Sequence, residues 1–300
     1  MVDRDLMLFP ATLISRMMQL KPTNQKVERT NIYPPTLFWP KNADTDTDKH
    51  KLLISQASTS SQPSQNHSQQ NLKMVVFRIV RKTIFPGLLG ASTAAAYLAS
   101  QNPVISPLPA NDPIWSSRLF RRANPNGNPA TNDICIKRIP FSKIRPELLK
   151  KENDLSLEFC RGLWSGWGYA IQRRYLDFKY RGPETENQLW DNEQLATSNY
   201  DRGTVITDHF EVVEKTSNSI TVRCGDSPRN SALRPSDGLF QISATIDKTR
   251  EEVELKLKSV LFSSEGKVPG PKGPMPGHIE ELHQWYARIW AETASWKLLK

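Results

Sequence analysis

The chain has 300 residues, of which 38% are hydrophobic, with eight tryptophans and a formal net charge of +9 at pH 7. This length and composition provide for one or two domains with a sizeable core. The charge is uneven, because residues 1–48 carry six acids and six bases, residues 49–111 carry six bases and no acid, and residues 112–300 carry the remaining +3. A nucleic-acid-binding domain gathers its Lys and Arg on its folded part, so this distribution argues against nucleic acid as a partner.

The chain contains three cysteines, Cys135, Cys160 and Cys224, which are too few and too far apart for a disulfide framework. No CxxC or Cys/His pair has zinc-ligand spacing, so we predict buried free thiols, no metal site and no cofactor. The sequence also lacks GxSxG, HExxH, a Cys/His nucleophile arrangement and a glycine-rich phosphate loop. Its motifs therefore leave open whether the protein is an enzyme.

Residues 1–73 are predicted to be a disordered extension. The stretch STSSQPSQNHSQQN, within residues 41–73, is too polar to bury enough apolar area to offset the entropy lost on ordering. Two interpretations of this extension stay open. Either it is a real part of the protein, or Met74 is the initiator and the preceding residues are a gene-model extension.

A targeting or membrane-anchor segment is predicted over residues 74–100. Arg78, Arg81 and Lys82 recur at i, i+3 and i+4 in a stretch without acids, which is typical of an organelle presequence. The apolar run IFPGLLGASTAAAYLA that follows is short for a membrane span but allows a membrane anchor. We therefore expect a mitochondrial or other organelle location with membrane association through residues 74–99, and a cytoplasmic location is the alternative.

Residues 101–133 are rich in Pro and Asn and are predicted to be a linker, which leaves residues 134–300 as the globular domain. The first element of that domain, ICIKRIPF, alternates apolar and polar residues. It predicts a short edge strand that ends at Pro140, because proline cannot donate to a strand ladder.

The next apolar stretch, LSLEFCRGLWSGWGYAIQRRYLDFKY, contains Gly162, Gly166 and Gly168. Three glycines in seven residues argue against one regular helix, so we predict a helix to about Gly162, a bend over residues 162–168, and then a second helix or a strand to Tyr180. Close packing of the backbone is one reason for these glycines. A glycine-lined ligand cleft is the alternative.

Four runs with period-two alternation follow Gly203 and predict an antiparallel meander of four or more strands. A three-residue turn at 216–218 and a four-residue turn at 248–251 place the apolar residues of each hairpin on one face. The predicted opposite pairs are Val212–Val222, Phe210–Cys224, Ile246–Val253, Ala244–Leu255 and Ile242–Leu257.

The chain ends in an amphipathic stretch, HIEELHQWYARIWAETASWKLL, which predicts a long helix. A sheet with one apolar face and a helix with one apolar stripe bury both surfaces by packing together. The predicted fold class is therefore α+β, with a four-stranded or larger antiparallel meander packed by a long C-terminal helix.

One edge of the predicted meander gathers most of the polar candidate residues. The stretch CGDSPRNSALRPSDG, residues 224–238, is the longest connection between strands, and long loops are often functional. The start of the first strand and residues 263–265 reach the same edge. The predicted catalytic residues are His209, Asp226, Arg234 and Asp237. The alternative is that these Asp and Arg side chains only cap one another and the loop backbone.

An apolar ligand is the leading functional hypothesis, because the aromatic residues exceed what one sheet face requires. We expect a pocket between the sheet and the C-terminal helix, with the 224–238 loop at its mouth. The predicted ligand-binding residues are Trp164, Trp167, Tyr169, Arg229, Trp285 and Trp290. The protein would then be a small-molecule-binding or accessory domain. The alternatives are a cofactor-free isomerase, cyclase or hydrolase acting from the loop, and an organelle membrane-tethered interaction protein.

Three stretches, GTVITDHFEVVEKTSNSITVRCGDSPRNSALRPSDGLFQISATID, LKSVLF and LHQWYARI, carry a resemblance that covers residues 155–296. On these stretches the chain resembles fungal proteins of unknown function. More distantly, it is similar to a bacterial domain of unknown function that also occurs fused behind NAD-dependent epimerase-like domains. Asp237 matches an acidic turn of that domain, whereas Gly238 stands where the domain has His, and His283 stands in place of a Pro-His pair. The resemblance implies an α+β fold similar to the helix-grip, START-like group.

Overall fold

The computed structural model describes residues 85–300, with side chains from Ser92 onward. The predictions made for residues 1–73 and for residues 74–84 lie outside the described residues. The end of the predicted targeting segment forms helix α1, Phe85–Gln101. Within the described part of the chain, no helix has the length and apolar character needed to cross a membrane.

A seven-stranded antiparallel sheet lies at the centre of the fold. Its strands are β1 (Val104–Ile105), β2 (Thr131–Pro140), β3 (Val205–Ile206), β4 (Phe210–Lys215), β5 (Ser219–Gly225), β6 (Asp237–Asp247) and β7 (Glu252–Phe262). They lie in the order β1-β2-β7-β6-β5-β4-β3. Strands β3 to β7 thus form a meander, and β2 and β1 extend it beyond β7. The predicted α+β class, with an antiparallel meander, is confirmed.

The strand register follows the apolar alternation closely. In the β6–β7 hairpin the three predicted pairs are present, namely Ile246–Val253, Ala244–Leu255 and Ile242–Leu257. In the β4–β5 hairpin Val212 pairs with Val222 as predicted, but a bulge between Val212 and Glu214 shifts the register by one residue. Lys215 therefore pairs with Ile220. The turn is one residue longer than predicted, because a bulge places two residues of one strand opposite one of the other.

Helices cover the apolar face of the meander. Their bounds are α4 (Glu152–Ser165), α5 (Trp167–Tyr180), α6 (Asn192–Thr197) and the C-terminal helix α7 (Gly277–Ser295). Leu155, Phe159 and Leu163 recur at i, i+4 and i+8 on α4 and are buried in the same core as the inward residues of β4 to β7. Helix α7 contributes Ala287, Trp290 and other residues to that core, so the predicted packing of the sheet by the C-terminal helix is confirmed.

The helical conformation is interrupted at Gly166, between α4 and α5, within the predicted bend. A Cβ atom at Gly162 would lie 2.3 Å from the carbonyl oxygen of Ala294 on α7, and one at Gly168 would lie 2.5 Å from Oγ1 of Thr293. These distances leave no room for a side chain, so both glycines allow α4 and α5 to approach α7 closely. Close packing against α7 thus accounts for both glycines, and Gly168 also lines the cavity described below.

The prediction of a linker over residues 101–133 is wrong. This segment contains β1, the start of β2, and two short helices, α2 (Pro113–Ser116) and α3 (Arg118–Ala123), which cover part of the second face of the sheet. The sheet residues buried on that face are Ile134, Ile136, Leu239, Val260 and Phe262. The second face is therefore partly buried rather than solvated. Strand β2 pairs with both β1 and β7, so it is not the edge strand that was predicted.

Candidate functional site

A cavity of about 260 Å³ lies between α7, the first turns of α5 and the face of the sheet that α4, α5 and α7 cover. Most of its lining is aromatic or aliphatic. The sheet contributes Phe210, Cys224, Phe240 and Leu261, α5 contributes Trp167 and Ile171, α7 contributes Tyr286, Ala287, Ile289 and Trp290, and the loop before α7 contributes Pro274 and Met275. The cavity thus lies between the sheet and the C-terminal helix, where a pocket was expected.

Two of the predicted ligand-binding residues, Trp167 and Trp290, line this cavity. Trp164 and Tyr169 lie behind its wall, fully buried in an aromatic cluster. The ring centroid of Trp164 is 5.0 Å from that of Tyr169, 5.8 Å from that of Trp290 and 4.8 Å from that of Phe210. The first two contacts are edge-to-face and the third is tilted, and aromatic pairs of this kind stabilise a core. Trp164 and Tyr169 therefore support the cavity without contacting its interior.

Trp285 lies on α7 outside the cavity lining. The guanidinium carbon of Arg288 lies 4.8 Å from the centroid of its ring, within the range of a cation–π contact. The sixth predicted ligand residue, Arg229, also lies outside the lining and forms ion pairs with Asp208 and Glu184. The structure thus places neither Trp285 nor Arg229 at the cavity.

Asp237, a predicted catalytic residue, begins β6 and lines the cavity. Its carboxylate accepts hydrogen bonds from Nε of Arg223 at 2.8 Å and from Oγ of Ser264 at 2.7 Å, and a second guanidinium nitrogen of Arg223 also donates to it. The backbone N–H of Gly238 donates at 2.9 Å. The hydrogen bonds to Asp237 raise the pKa of Arg223. Both carboxylate oxygens are thus engaged in a bidentate ion pair.

Arg234 and Asp226 hold the loop between β5 and β6 and do not line the cavity. The guanidinium of Arg234 is buried and donates to the carbonyls of Asn230 at 2.9 Å and Asp226 at 3.0 Å. Burial lowers the pKa of Arg234 and raises the pKa of Asp226. Oγ of Ser264 accepts from the backbone N–H of Arg234 at 2.8 Å, which ties the loop to the end of β7. These contacts match the alternative in which the loop's charged residues cap the loop itself.

His209, the fourth predicted catalytic residue, ends a buried polar turn between β3 and β4. Thr207 and Asp208 in this turn have φ angles of 46° and 65°, a left-handed conformation that is rare for a β-branched residue. The Thr207 hydroxyl hydrogen-bonds to Tyr169, and Oε1 of Gln188 accepts from the backbone N–H of Asp208 at 2.7 Å. The turn is thereby fixed from two sides, and His209 reaches the cavity lining.

Asp208 is a buried carboxylate that is compensated from three sides. Its Oδ1 lies 3.0 Å from Oγ of Ser227 and 3.0 Å from Nε of Arg229, and its Oδ2 lies 3.4 Å from Nδ1 of His209. Burial acts to raise the pKa of Asp208, but the hydrogen bonds outweigh burial, so the pKa is lowered. Arg229 also pairs with Glu184 at 2.9 Å. The predicted meeting of the 224–238 loop with the start of the meander is therefore present.

A polar cluster of His283, Ser259 and Asp133, which the sequence analysis missed, borders the cavity under α7. Ser259 and Asp133 are opposite residues of β7 and β2. Nε2 of His283 lies 3.2 Å from Oγ of Ser259 and 3.5 Å from Oδ2 of Asp133. A Ser-His-Asp triad uses both ring nitrogens, whereas in this cluster one nitrogen contacts both partners. His283 and Ser259 line the cavity, and Asp133 lies behind them.

Asp133 is a poorly compensated carboxylate. It is 1% exposed, and neither of its oxygens forms a hydrogen bond within residues 92–300. Burial raises the pKa of Asp133 above its ordinary value of 3.8, against the favourable charges of His283 and Arg288. A buried charge without hydrogen bonds is costly, so the stability of the ionised carboxylate depends on the charges of the neighbouring groups.

Cys224 lines the cavity but has the properties of a core thiol. Burial raises its pKa to about 12, so the thiolate that a nucleophile needs is scarce at neutral pH. In the part of the chain that the structure describes, no group of three His, Cys, Asp or Glu side chains is placed to hold a metal ion.

Comparisons with protein-family models, with curated proteins and with solved structures find no match to this chain. The resemblance to fungal and bacterial proteins of unknown function stays a prediction. Function is accordingly inferred from the cavity and from the polar groups around it.

Proposed function

We propose that this protein binds a small apolar molecule in the cavity between α7, α5 and the sheet. The cavity carries the proposal, since it has a volume of about 260 Å³ and mostly aromatic and aliphatic walls. Small-molecule sites are typically concave and mainly apolar, with a few polar groups that fix the orientation of the ligand. A dry cavity of about 150 Å³ holds benzene, so this cavity suits a molecule about as large as two fused rings.

Access from solvent supports a binding role. Trp167 and Ile171 line the cavity and are nevertheless 56% and 44% exposed, so the cavity reaches the surface at α5. Protein interiors contain few voids larger than a water molecule, and an apolar opening of this size costs stability. A bound apolar molecule would remove that cost.

Binding has more support than proton transfer from the loop. His209 and Asp237 do line the cavity, but both oxygens of Asp237 accept hydrogen bonds from Arg223 or Ser264. A general base needs a free oxygen within reach of the proton that it removes. Asp237 therefore serves the ion pair better than it would serve catalysis.

Isothermal titration calorimetry of the full chain with 2-naphthol tests the proposal. Ala287→Phe places a ring inside the cavity and is expected to weaken binding about tenfold or more, which corresponds to about 1.4 kcal/mol. Ala232→Phe makes the same change on the exposed β5–β6 loop and is expected to bind like the unsubstituted protein. Circular dichroism checks that both variants are folded. Equal affinity in a folded Ala287→Phe protein, or no binding at all, would contradict the proposal.

A further inference from the structure

The geometry points to a cavity that selects neutral ligands, carrying a hydroxyl or carbonyl group, over ligands that carry a carboxylate. This inference rests on the proposed function and adds the chemical class of the ligand. It follows from the charges around the cavity and from the partners that each charge already has.

Three buried carboxylates lie at the cavity or directly behind its wall. Asp237 lines it, Asp208 adjoins the lining residue His209, and Asp133 adjoins the lining residue His283. Their exposure is 3%, 0% and 1%, so water screens none of them effectively. The potential inside the cavity is therefore decided by how well each carboxylate is compensated.

Two arginines near the cavity are already paired with these carboxylates. Arg223 binds Asp237 through two nitrogens, and Arg229 binds Asp208. Each of the two lining histidines lies beside a carboxylate, at 3.4 Å from Asp208 and 3.5 Å from Asp133. Among the described residues that line the cavity, none is Lys or Arg. An anionic ligand would therefore meet no Lys or Arg side chain among the described lining residues, and Arg288, which faces Asp133, lies outside that lining.

Asp133 makes the cavity still less suitable for an anion. Its oxygens form no hydrogen bond within the described residues, and the charged groups that face it are His283, Glu280 and Arg288. Moving a carboxylate from water into an apolar site without a partner is strongly unfavourable. A second carboxylate near Asp133 would add repulsion to that cost.

A neutral oxygen, in contrast, finds neutral partners on the cavity wall. These are the hydroxyls of Ser259 and Tyr286 and the amide of Gln172, and the Tyr286 hydroxyl donates to Oε1 of Gln172 at 3.2 Å between α7 and α5. A hydroxyl both donates and accepts hydrogen bonds, so it can pair with any of these groups. The ligand class is therefore a fused-ring or similarly compact apolar molecule with a neutral oxygen.

Calorimetry at pH 7 with naphthalene, 2-naphthol and 2-naphthoate tests this selectivity on one ring system. We expect 2-naphthol to bind the unsubstituted full chain about tenfold or more tightly than 2-naphthoate. Asp133→Asn keeps the side-chain size and removes one charge, so it should narrow that ratio about threefold or more by strengthening the binding of 2-naphthoate. Glu281→Gln makes the same change of net charge at an exposed position of α7 and should leave the ratio unchanged.

The possible outcomes separate this inference from the proposed function. Binding of 2-naphthoate as tight as that of 2-naphthol overturns the selectivity, while the proposed binding function stands. If neither naphthalene nor 2-naphthol binds, the proposed function itself fails. A ratio that stays the same in folded Asp133→Asn overturns the electrostatic origin of the selectivity. If that variant does not fold, the comparison of ligands on the unsubstituted protein still decides the selectivity.

Discussion

Replacing Asp237 with alanine tests whether this residue holds the fold or serves chemistry. The carboxylate accepts hydrogen bonds from Arg223, Ser264 and the backbone of Gly238. Without it, the guanidinium of Arg223, which is 19% exposed, loses the two hydrogen bonds that compensate its burial. Asp237→Ala therefore removes one partner of a largely buried ion pair and leaves the other charged.

The size of the effect follows from that burial. Removing one partner of a buried pair costs about 3–5 kcal/mol in the free energy of unfolding. Since the partly exposed Arg223 can gain water, we expect the lower end, about 3 kcal/mol. Arg223→Met combined with Asp237→Ala removes both charges. The double variant should therefore lose less than the two single losses added together, with a coupling energy of about 1–3 kcal/mol.

Urea denaturation followed by tryptophan fluorescence measures all four corners of this double-mutant cycle. The chain is well suited to this probe, because Trp164 and Trp190 are almost fully buried. A loss below about 0.5 kcal/mol in Asp237→Ala, which is typical of a surface substitution, together with no coupling to Arg223 would refute the structural role. Asp237 would then return as a candidate for chemistry at the cavity.

Three further predictions concern packing, thiols and pH. Gly162→Ala should lower the free energy of unfolding by about 2 kcal/mol, because the new Cβ would meet the carbonyl of Ala294. The control Gly182→Ala should cause no such loss, because its Cβ would meet nothing within 4 Å. Equal urea midpoints of the two variants would contradict this. All three cysteines are buried, so Ellman's reagent at pH 8 should label them only in denaturant, and rapid labelling of the native protein would disprove this. Burial raises the pKa of Asp133 above 3.8, so the folded state binds the proton of this carboxyl more tightly than the unfolded state does. The contribution of Asp133 to the free energy of unfolding is therefore lost as the pH rises from about 4 through the pKa of the folded state. In thermal melts, the Tm of Asp133→Asn should not show this loss as the pH rises. The same dependence of Tm on pH in the variant and the unsubstituted protein would contradict the prediction.

The β6–β7 hairpin of the meander was predictable from sequence, because its inward residues from Ile242 to Ile246 and from Val253 to Leu257 are apolar at every second position. A one-residue slip would turn one apolar set away from the core, and the four-residue turn at 248–251 then sets Ile242, Ala244 and Ile246 opposite Leu257, Leu255 and Val253, which is the register of the structure. The bulge after Val212 was not predictable in the same way. It changes the pairing near the turn, where Lys215 and Ile220 have no strong preference for one register.

The second face of the sheet was missed for a physical reason. Leu239, Val260 and Phe262 occupy outward positions of otherwise regular strands, and their burial depends on α2 and α3. Those helices are four and six residues long, which is too short for a helical period to show in the sequence. The Pro- and Asn-rich composition of residues 101–133 then indicated a linker, although Asp112 and Ser117 cap these helices through their side chains.

The candidate site was predictable only in its position. The meeting of the 224–238 loop with His209 follows from meander topology, but the partners of each side chain do not. Asp133 and Ser259 come together only because β2 pairs with β7, and β2 had been placed at an edge of the sheet. One signal was available, since Ser259 is a polar residue at an inward position between Leu257 and Leu261.

The ion pairs Arg223–Asp237 and Arg229–Asp208, which involve the strands and loops beside the β5–β6 connection, also influence which ligands the cavity can bind. Asp237→Asn would keep the shape of the side chain, but it would remove a negative charge from a residue of the cavity lining and leave the guanidinium of Arg223 without its counter-charge. Stability should then fall, while affinity for 2-naphthoate should rise, because a negative charge that repels an anionic ligand has been removed from the lining. Opposite signs of the two effects would link stability and selectivity through one ion pair. A fall in both would mean that the substitution only disrupts the cavity, and that the charge of Asp237 does not act on the bound ligand.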